Sequence, residues 1–155
     1  MSNFMRTSEY QSLLTLNKSQ LVQAASGQSS IINYGIKLQD NTSLAANLGL
    51  VATILAMLFL KSKAVGLSTG ITSLFVSILP DEKAATERLA ISGLNGLNEI
   101  AAFMDRNTNY DLVEIRAPFL EYQYLDSTEN WRIVSGKPVI NRLRVAGTGQ
   151  WIVAT

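Results

Sequence analysis

Two pairs of acidic residues are the first candidates for chemistry in this sequence. Asp81 is adjacent to Glu82, and Asp105 lies shortly before Asp111. Paired carboxylates can act as general acid and base when their surroundings push their pKa values apart. Asp81 and Glu82, however, follow Pro80 at a predicted helix start, where acidic groups stabilise the helix dipole, and the other pair flanks a loop. We therefore predict that the chain has no catalytic residues and is not an enzyme.

The absence of two residue types narrows the chemistry further. The sequence has no histidine and no cysteine, which removes the commonest general base, the commonest metal ligand and any thiolate nucleophile. Gly147-Thr148-Gly149 lacks the lysine and the following helix of a phosphate-binding loop, and its pattern favours a β-turn. We predict no metal site and no cofactor.

Arg142 and Arg144 are two positions apart on a predicted strand, so their side chains share one face. Together with Arg132 or Lys137 across the hairpin they could bind phosphate headgroups or carboxylates of a partner. The alternative is cross-strand pairing with Glu114 or Glu121. The chain as a whole has 13 basic and 12 acidic residues, a balance that creates no field for nucleic acid, and we expect no nucleic-acid partner.

The elements that must position any site are organised around an apolar stretch from Asn41 to Pro80. It holds two apolar runs, Leu44 to Leu60 and Ala64 to Leu79, and its only charges, Lys61 and Lys63, lie between them. The pattern predicts a helical hairpin. At about 1.5 Å per residue the first arm reaches roughly 25 Å, just short of the ~30 Å hydrocarbon core of a bilayer.

Three interpretations of this hairpin stay open at this point. It could be a core helix pair, a permanent two-span membrane segment, or a hairpin that is buried in a soluble or assembled form and enters membranes later. The residues expected to insert into a membrane or to form an oligomer interface are Leu48, Val51, Leu55, Leu58, Phe59, Gly66 and Gly70. The last two form a GxxxG pair, which permits close helix–helix approach.

The remaining chain predicts an α+β fold with segregated parts. Residues 7–25 have helical spacing with a break near Asn17. Residues 32–38 alternate as in a short strand, although Ile32 and Ile36 would also share one face of a helix, and a helix follows from Pro80 to about Met104. Gly93 and Gly96 within that helix indicate close packing against a neighbour or a place where the helix can bend, and close packing is the commoner explanation. Four or so strands come after residue 109, and Pro118 in the first of them indicates an edge position or a bulge.

Two regions therefore divide the chain. Residues 1–109 form a helical region that contains the apolar hairpin 41–80, and residues 110–155 form a small antiparallel β-meander packed on it. The first residues lack the basic and then apolar segments of a signal peptide. We expect synthesis in the cytoplasm without a signal peptide, followed by release to act at a target membrane or in an extracellular assembly.

Residues 46–104 resemble the first helices of the pore-forming domain in crystal (Cry) insecticidal toxins. The matching pieces are an apolar helix at 48–60, a joint of small residues at 64–70, the run Leu74-Phe75-Val76-Ser77-Ile78-Leu79-Pro80-Asp81-Glu82, and the helix 87–104. The resemblance implies a hairpin that inserts into membranes. Leu79 stands where those toxins usually have an aromatic residue, and their remaining helices and receptor-binding domains are absent.

Two functions from different classes follow. The first is a membrane-active, pore-forming toxin or bacteriocin-like protein whose hairpin (44–79) inserts or oligomerises. The second is a self-assembling structural subunit of a filament, shell or phage-type particle, with the hairpin as the subunit interface. The expected partners are membrane lipid or copies of the chain itself in a homo-oligomer.

Overall fold

The structure, a computed structural model, describes residues 5–124 and 130–154 of the 155-residue chain. These residues form an α+β fold, which confirms the predicted class. The α-helices are α1 (Lys18–Ser30), α2 (Asn41–Gly49), α3 (Ala52–Phe59), α4 (Ala64–Ser77) and α5 (Pro80–Arg106), and a π-helix spans Ile31–Lys37. The strands are β1 (Met5–Leu16), β2 (Tyr110–Tyr124), β3 (Asn130–Val134), β4 (Val139–Val145) and β5 (Trp151–Val153).

The strands form one antiparallel sheet centred on β2. The order is β1-β2-β4-β5, and β3 pairs with the second half of β2 on the side that β4 occupies along the first half. Pro118 is therefore on a central strand, and the register shifts lie elsewhere, between Tyr110 and Leu112 and between Glu114 and Ile115. The predicted edge or bulge at Pro118 is wrong because the proline sits at the gap between β3 and β4, where its missing N–H removes no ladder hydrogen bond.

The N-terminal segment differs from the prediction. Residues 5–16 form a strand rather than the first half of a helix, because Leu14 and Leu16 face the core and pair with Ile115 and Val113 of β2. The strand thus adds a fifth member to the sheet from the opposite end of the chain. The helix begins only after Asn17, where the sequence indicated a break.

Asn17 and Gln20 start α1 with a capping box. The Gln20 N–H donates to the Asn17 side chain at 2.8 Å, and the Asn17 N–H donates to the Gln20 side chain at 2.9 Å. The helix passes directly into the π-helix, so the strand predicted at 32–38 is wrong. Ile32 and Ile36, which also share a helical face, are both buried there.

The predicted hairpin consists of three helices rather than two. Its first arm consists of α2 and α3, which meet at an angle of 105°. The side chain of Asp40 caps α2 by accepting from the Ser43 N–H at 3.1 Å. Ser68 lies inside α4, and its hydroxyl donates to the Asn41 carbonyl at 2.8 Å, which joins α4 to the start of α2.

Helix α5 follows its prediction closely. It begins at Pro80 with Asp81 and Glu82 in its first turn. Gly93 and Gly96 face the β3–β4 region, where added Cβ atoms would lie 2.3 Å from the Val134 carbonyl oxygen and 2.4 Å from Pro138. The close packing inferred from these two glycines is confirmed.

Strand β3 runs into the helical region. Its residues Trp131 to Val134 are all buried, because helices cover both of its faces. Arg132 on one face reaches the end of α3, while the Trp131 ring on the other face lies against Phe75 of α4, with ring centroids 6.3 Å apart. The core therefore sits where the broken hairpin closes around this strand.

Candidate functional site

Residues 41–79 form the part of the molecule with the most unusual surface. We call this segment, which comprises α2, α3, α4 and their connections, the apolar lobe. All of these residues are described, and Lys61 and Lys63 are the only charged ones. Leu50, between α2 and α3, is 81% exposed. The other large apolar residues exposed on the lobe are Val65, Val76 and Leu79.

The residues predicted to insert or to form an interface lie mostly inside the lobe. Leu48, Val51, Leu55, Leu58 and Phe59 are all buried and belong to one core cluster. The structure brings these five side chains together, but away from the surface. A role at a membrane or at an interface therefore requires the lobe to rearrange first.

The two glycines of the predicted GxxxG pair have different surroundings. Gly66 is exposed and faces open space, whereas Gly70 lies against the Trp131 ring, whose nearest atoms are 3.1 Å from where a Cβ would be. Gly70 thus makes room for an indole ring on β3 rather than for a second helix.

Among the described residues no single helix is long and apolar enough to cross a membrane. The bent pair α2–α3 meets the criteria of length and composition only when its two parts are taken together. Its bend contains Leu50, and its far end at Leu60 has a positive φ of 69°, a conformation that is costly for a residue with a side chain.

Arg132 joins the sheet to the lobe, and sequence reasoning did not find this role. Its guanidinium is buried and donates to the carbonyls of Leu58 and Met57 at 2.9 Å each. A cation placed there satisfies the last carbonyls of α3 and stabilises the negative end of the helix dipole. The same group stacks 3.7 Å from the centroid of the Phe119 ring.

Arg132 continues into a wider set of hydrogen bonds. It donates to the Tyr10 hydroxyl at 3.1 Å, and Tyr10 donates to Glu121 at 2.5 Å. Glu121 also accepts from Gln123 and Asn130. We call this set, together with the two α3 carbonyls, the Arg132 network.

The network sets the protonation states of its members. Burial and the hydrogen bond to Glu121 raise the pKa of Tyr10 above its ordinary value of 10.0, so the hydroxyl stays a donor at neutral pH. Burial also acts to raise the pKa of Glu121, but the hydrogen bonds from Asn130, Tyr10 and Gln123 outweigh it. The pKa of Glu121 therefore lies below its ordinary value of 4.5, and the carboxylate balances the buried cation through Tyr10.

The arginines of β4 take the cross-strand arrangement. Arg142 donates to both oxygens of Glu114 at 3.0 and 2.9 Å, and Arg144 donates to both oxygens of Asp111 at 2.9 and 2.8 Å. Arg132 lies in the core and not beside them. The expectation of cross-strand pairing is confirmed for Arg142 with Glu114, while Arg144 uses a partner that the sequence analysis did not name.

The two acidic pairs considered for catalysis differ in their surroundings: basic partners favour the ionised forms of Asp105 and Asp111, whereas the other pair is exposed. A hydrogen bond from Lys18 lowers the pKa of Asp105, and one from Arg144 lowers that of Asp111. Asp81 and Glu82 are exposed on the first turn of α5. The described residues contain no group of three or more acidic side chains that could hold a metal ion.

Comparisons with known proteins add no family to this description. No family model, curated protein or solved structure matches the chain. Nothing in them links it to the pore-forming domain of the crystal toxins, and that resemblance stays a prediction.

Proposed function

We propose that the protein is a membrane-active, pore-forming protein of the toxin or bacteriocin-like kind, and that its apolar lobe enters the bilayer. The observation that carries the proposal is the nearly uncharged exterior of the lobe. Roughly a quarter to a third of a soluble surface is charged, whereas Lys61 and Lys63 are the only charges in residues 41–79. Such a surface loses little hydration free energy when it leaves water.

The bend between α2 and α3 supplies the conformational change. If the backbone straightens at Leu50, residues 41–59 become one helix of roughly 28 Å at about 1.5 Å per residue. This length approaches the ~30 Å hydrocarbon core. The straightened helix presents Leu48, Val51 and Leu55, buried in the present fold, to lipid tails.

Three features support a lobe that can leave the sheet. Leu60 holds a costly backbone conformation at the end of α3. The Thr72 hydroxyl in α4 and the indole N–H of Trp131 are buried without a hydrogen-bond partner in the described structure, which costs about 1–3 kcal/mol for each group. Against these features stands the Arg132 network, which keeps α3 on β3.

A second function, the self-assembling structural subunit, is favoured by one face of α4. Val65, Thr69 and Val76 lie on one side of the helix, together with Gly66, and all are exposed. Small uncharged side chains of this kind allow a second copy to pack closely. In this alternative Val76→Lys disperses the assembly without any lipid present.

Dye release from phosphatidylcholine–phosphatidylglycerol vesicles tests the first function. The wild-type protein should release the dye, and Leu50→Asp should lose most of this activity at unchanged thermal stability, because the leucine makes few contacts in the fold. Val139→Asp is the matched control, since Val139 is 54% exposed but lies on β4. A wild type that releases no dye, or equal release by Leu50→Asp, contradicts the proposal.

A reversible crosslink tests the rearrangement itself. Asn41 and Ser68 are in hydrogen-bond contact between α2 and α4, and the chain contains no other cysteine to interfere. The double variant Asn41→Cys/Ser68→Cys should release dye only after reduction of its disulfide. Equal release in both redox states means that α2 and α4 need not separate, which contradicts the straightening of α2–α3.

A further inference from the structure

Within the described residues the sheet has three strand edges, and two of them offer little backbone to another chain. Along β3 the buried Gln28 side chain takes the place of a neighbouring strand: its amide nitrogen donates to the Val134 carbonyl at 2.7 Å, and its oxygen accepts from the Val134 N–H at 3.2 Å. Strand β5 has only 3 residues, and short edge strands pair poorly with other chains.

The third edge, β1, is long and is protected only by two charged residues near its start. It has 12 residues without proline, glycine or lysine, and its register with β2 is continuous from end to end. Its charges, Arg6 and Glu9, lie in its first half. Natural proteins normally interrupt such an edge with bulges, prolines or charged residues, because its unpaired backbone groups are a template for another strand.

The backbone of β1 can be oriented from Pro118. The Pro118 carbonyl accepts from the Ser135 N–H at 2.9 Å, so residue 118 points its polar groups toward β3 and β4. Gln11 is directly opposite Pro118. In an antiparallel pair, the backbone N–H and C=O groups of two facing residues point either toward each other or away from each other. Gln11 therefore points its N–H and C=O outward, as does every second residue along β1.

These outward residues are Thr7, Glu9, Gln11, Leu13 and Thr15, and all five are exposed. Within the described chain no backbone hydrogen bond reaches their outward groups. We infer that β1 pairs antiparallel with β1 of a second copy, which joins two sheets across a two-fold axis.

The orientation and the charges restrict the register of this pair. Residues with outward backbone groups must face residues with outward backbone groups on the second copy. Because these residues alternate along β1, the two-fold axis passes through a residue position and not between two residues. An axis through Glu9 places two carboxylates opposite each other, which is unfavourable. Axes through Tyr10 or Gln11 keep nearly the whole strand paired without like charges in contact, and they place Gln11 opposite Glu9 or opposite Gln11 of the second copy.

A second copy fits this edge better than a strand of another protein. The net charge of +1 gives no long-range repulsion between copies. The same uninterrupted edge is present on both copies, as two-fold interfaces require.

Sedimentation of the wild-type protein without lipid should show a monomer–dimer equilibrium. Gln11→Glu creates facing carboxylates in both registers and should weaken the dimer about tenfold, with recovery at high salt. Gln150→Glu, at an exposed position just before β5, adds the same charge elsewhere and should leave the equilibrium unchanged. Gln11→Lys then separates the registers, because it faces Glu9 in one and another lysine in the other.

A wild type that stays monomeric up to millimolar concentration overturns this interface, even if β1 captures a strand of an unrelated protein. A dimer that Gln11→Glu and Gln11→Pro leave unchanged also overturns it. Because the measurement involves no vesicles, its outcome is separate from that of the proposed function: Leu50→Asp should lose most of the dye release and retain the dimer.

Discussion

The sheet and the apolar lobe differ in how many charged side chains they carry. Four ion pairs of the described residues lie outside the lobe. They connect α1 with α5, α5 with the segment between β3 and β4, and β2 with β4, and they are Lys18–Asp105, Lys137–Glu99, Arg142–Glu114 and Arg144–Asp111. The lobe carries two lysines and no acidic residue. The charged side chains of the molecule are thus concentrated outside the lobe, and this contrast is the basis of the proposed function.

The two regions also differ in how they are held together. The sheet is held by backbone ladders, and the longest of them joins the full length of β1 to β2 without a register shift. The lobe consists of short helices with a sharp bend, and one buried cation, Arg132, ties the end of α3 to β3. This difference suggests that the lobe can move while the sheet persists, and it can be tested at single residues.

The largest effect is expected for Arg132→Met. The substitution leaves the carbonyls of Met57 and Leu58 without their donor, so the free energy of unfolding should fall by about 3 kcal/mol. Urea denaturation measures this loss, and dye release from vesicles should become faster. Arg142→Met is the control, since that side chain is on the surface. Equal losses in both variants would remove the distinction between the two regions.

An intermediate effect is expected for Glu121→Gln. Because the pKa of Glu121 is lowered in the folded state, its stabilisation is present above about pH 5 and is lost as the pH falls below 4.5. The variant should be about 2 kcal/mol less stable at pH 7. Its stability should also fall less than that of the wild type between pH 5 and pH 3. Parallel pH profiles would show that the network does not depend on this carboxylate.

The smallest effect is expected for Arg144→Met on the sheet. The side chains of Arg144 and Asp111 are 35% and 39% exposed, and solvent screens pairs of this kind. The melting temperature should change little, and dye release should be unaffected. A marked loss of either would mean that the charged surface of the sheet participates in the function.

Local patterns predicted the parts of the fold where one segment determines its own structure. The start of α5 follows from the conformational restriction of Pro80, and the strands after residue 109 follow from the alternation of apolar and polar residues. The close packing at Gly93 follows from the absence of a side chain there. Residues 7–16 were misassigned because their spacing of apolar residues also suits a helix, and only pairing with the distant strand β2 selects the strand.

The sequence located the candidate site but did not show how its residues are arranged. The apolar stretch 41–79 is evident from the distribution of charge, whereas the bend at Leu50 and the burial of Leu55 depend on what packs around them. Arg132 gave no local signal, since a single arginine on a strand is ordinarily a surface residue. Its partners are carbonyls far along the chain, which composition does not reveal.

The sequence by itself determined that charge is segregated, that histidine and cysteine chemistry is absent, and that helices precede most of the strands. These properties depend on residue type and short-range spacing alone. The tertiary structure decided which apolar residues are buried, which strand edge is left unpaired, and which buried cation holds the lobe. Those outcomes depend on contacts between distant segments, because burial and pairing are properties of two surfaces rather than of one.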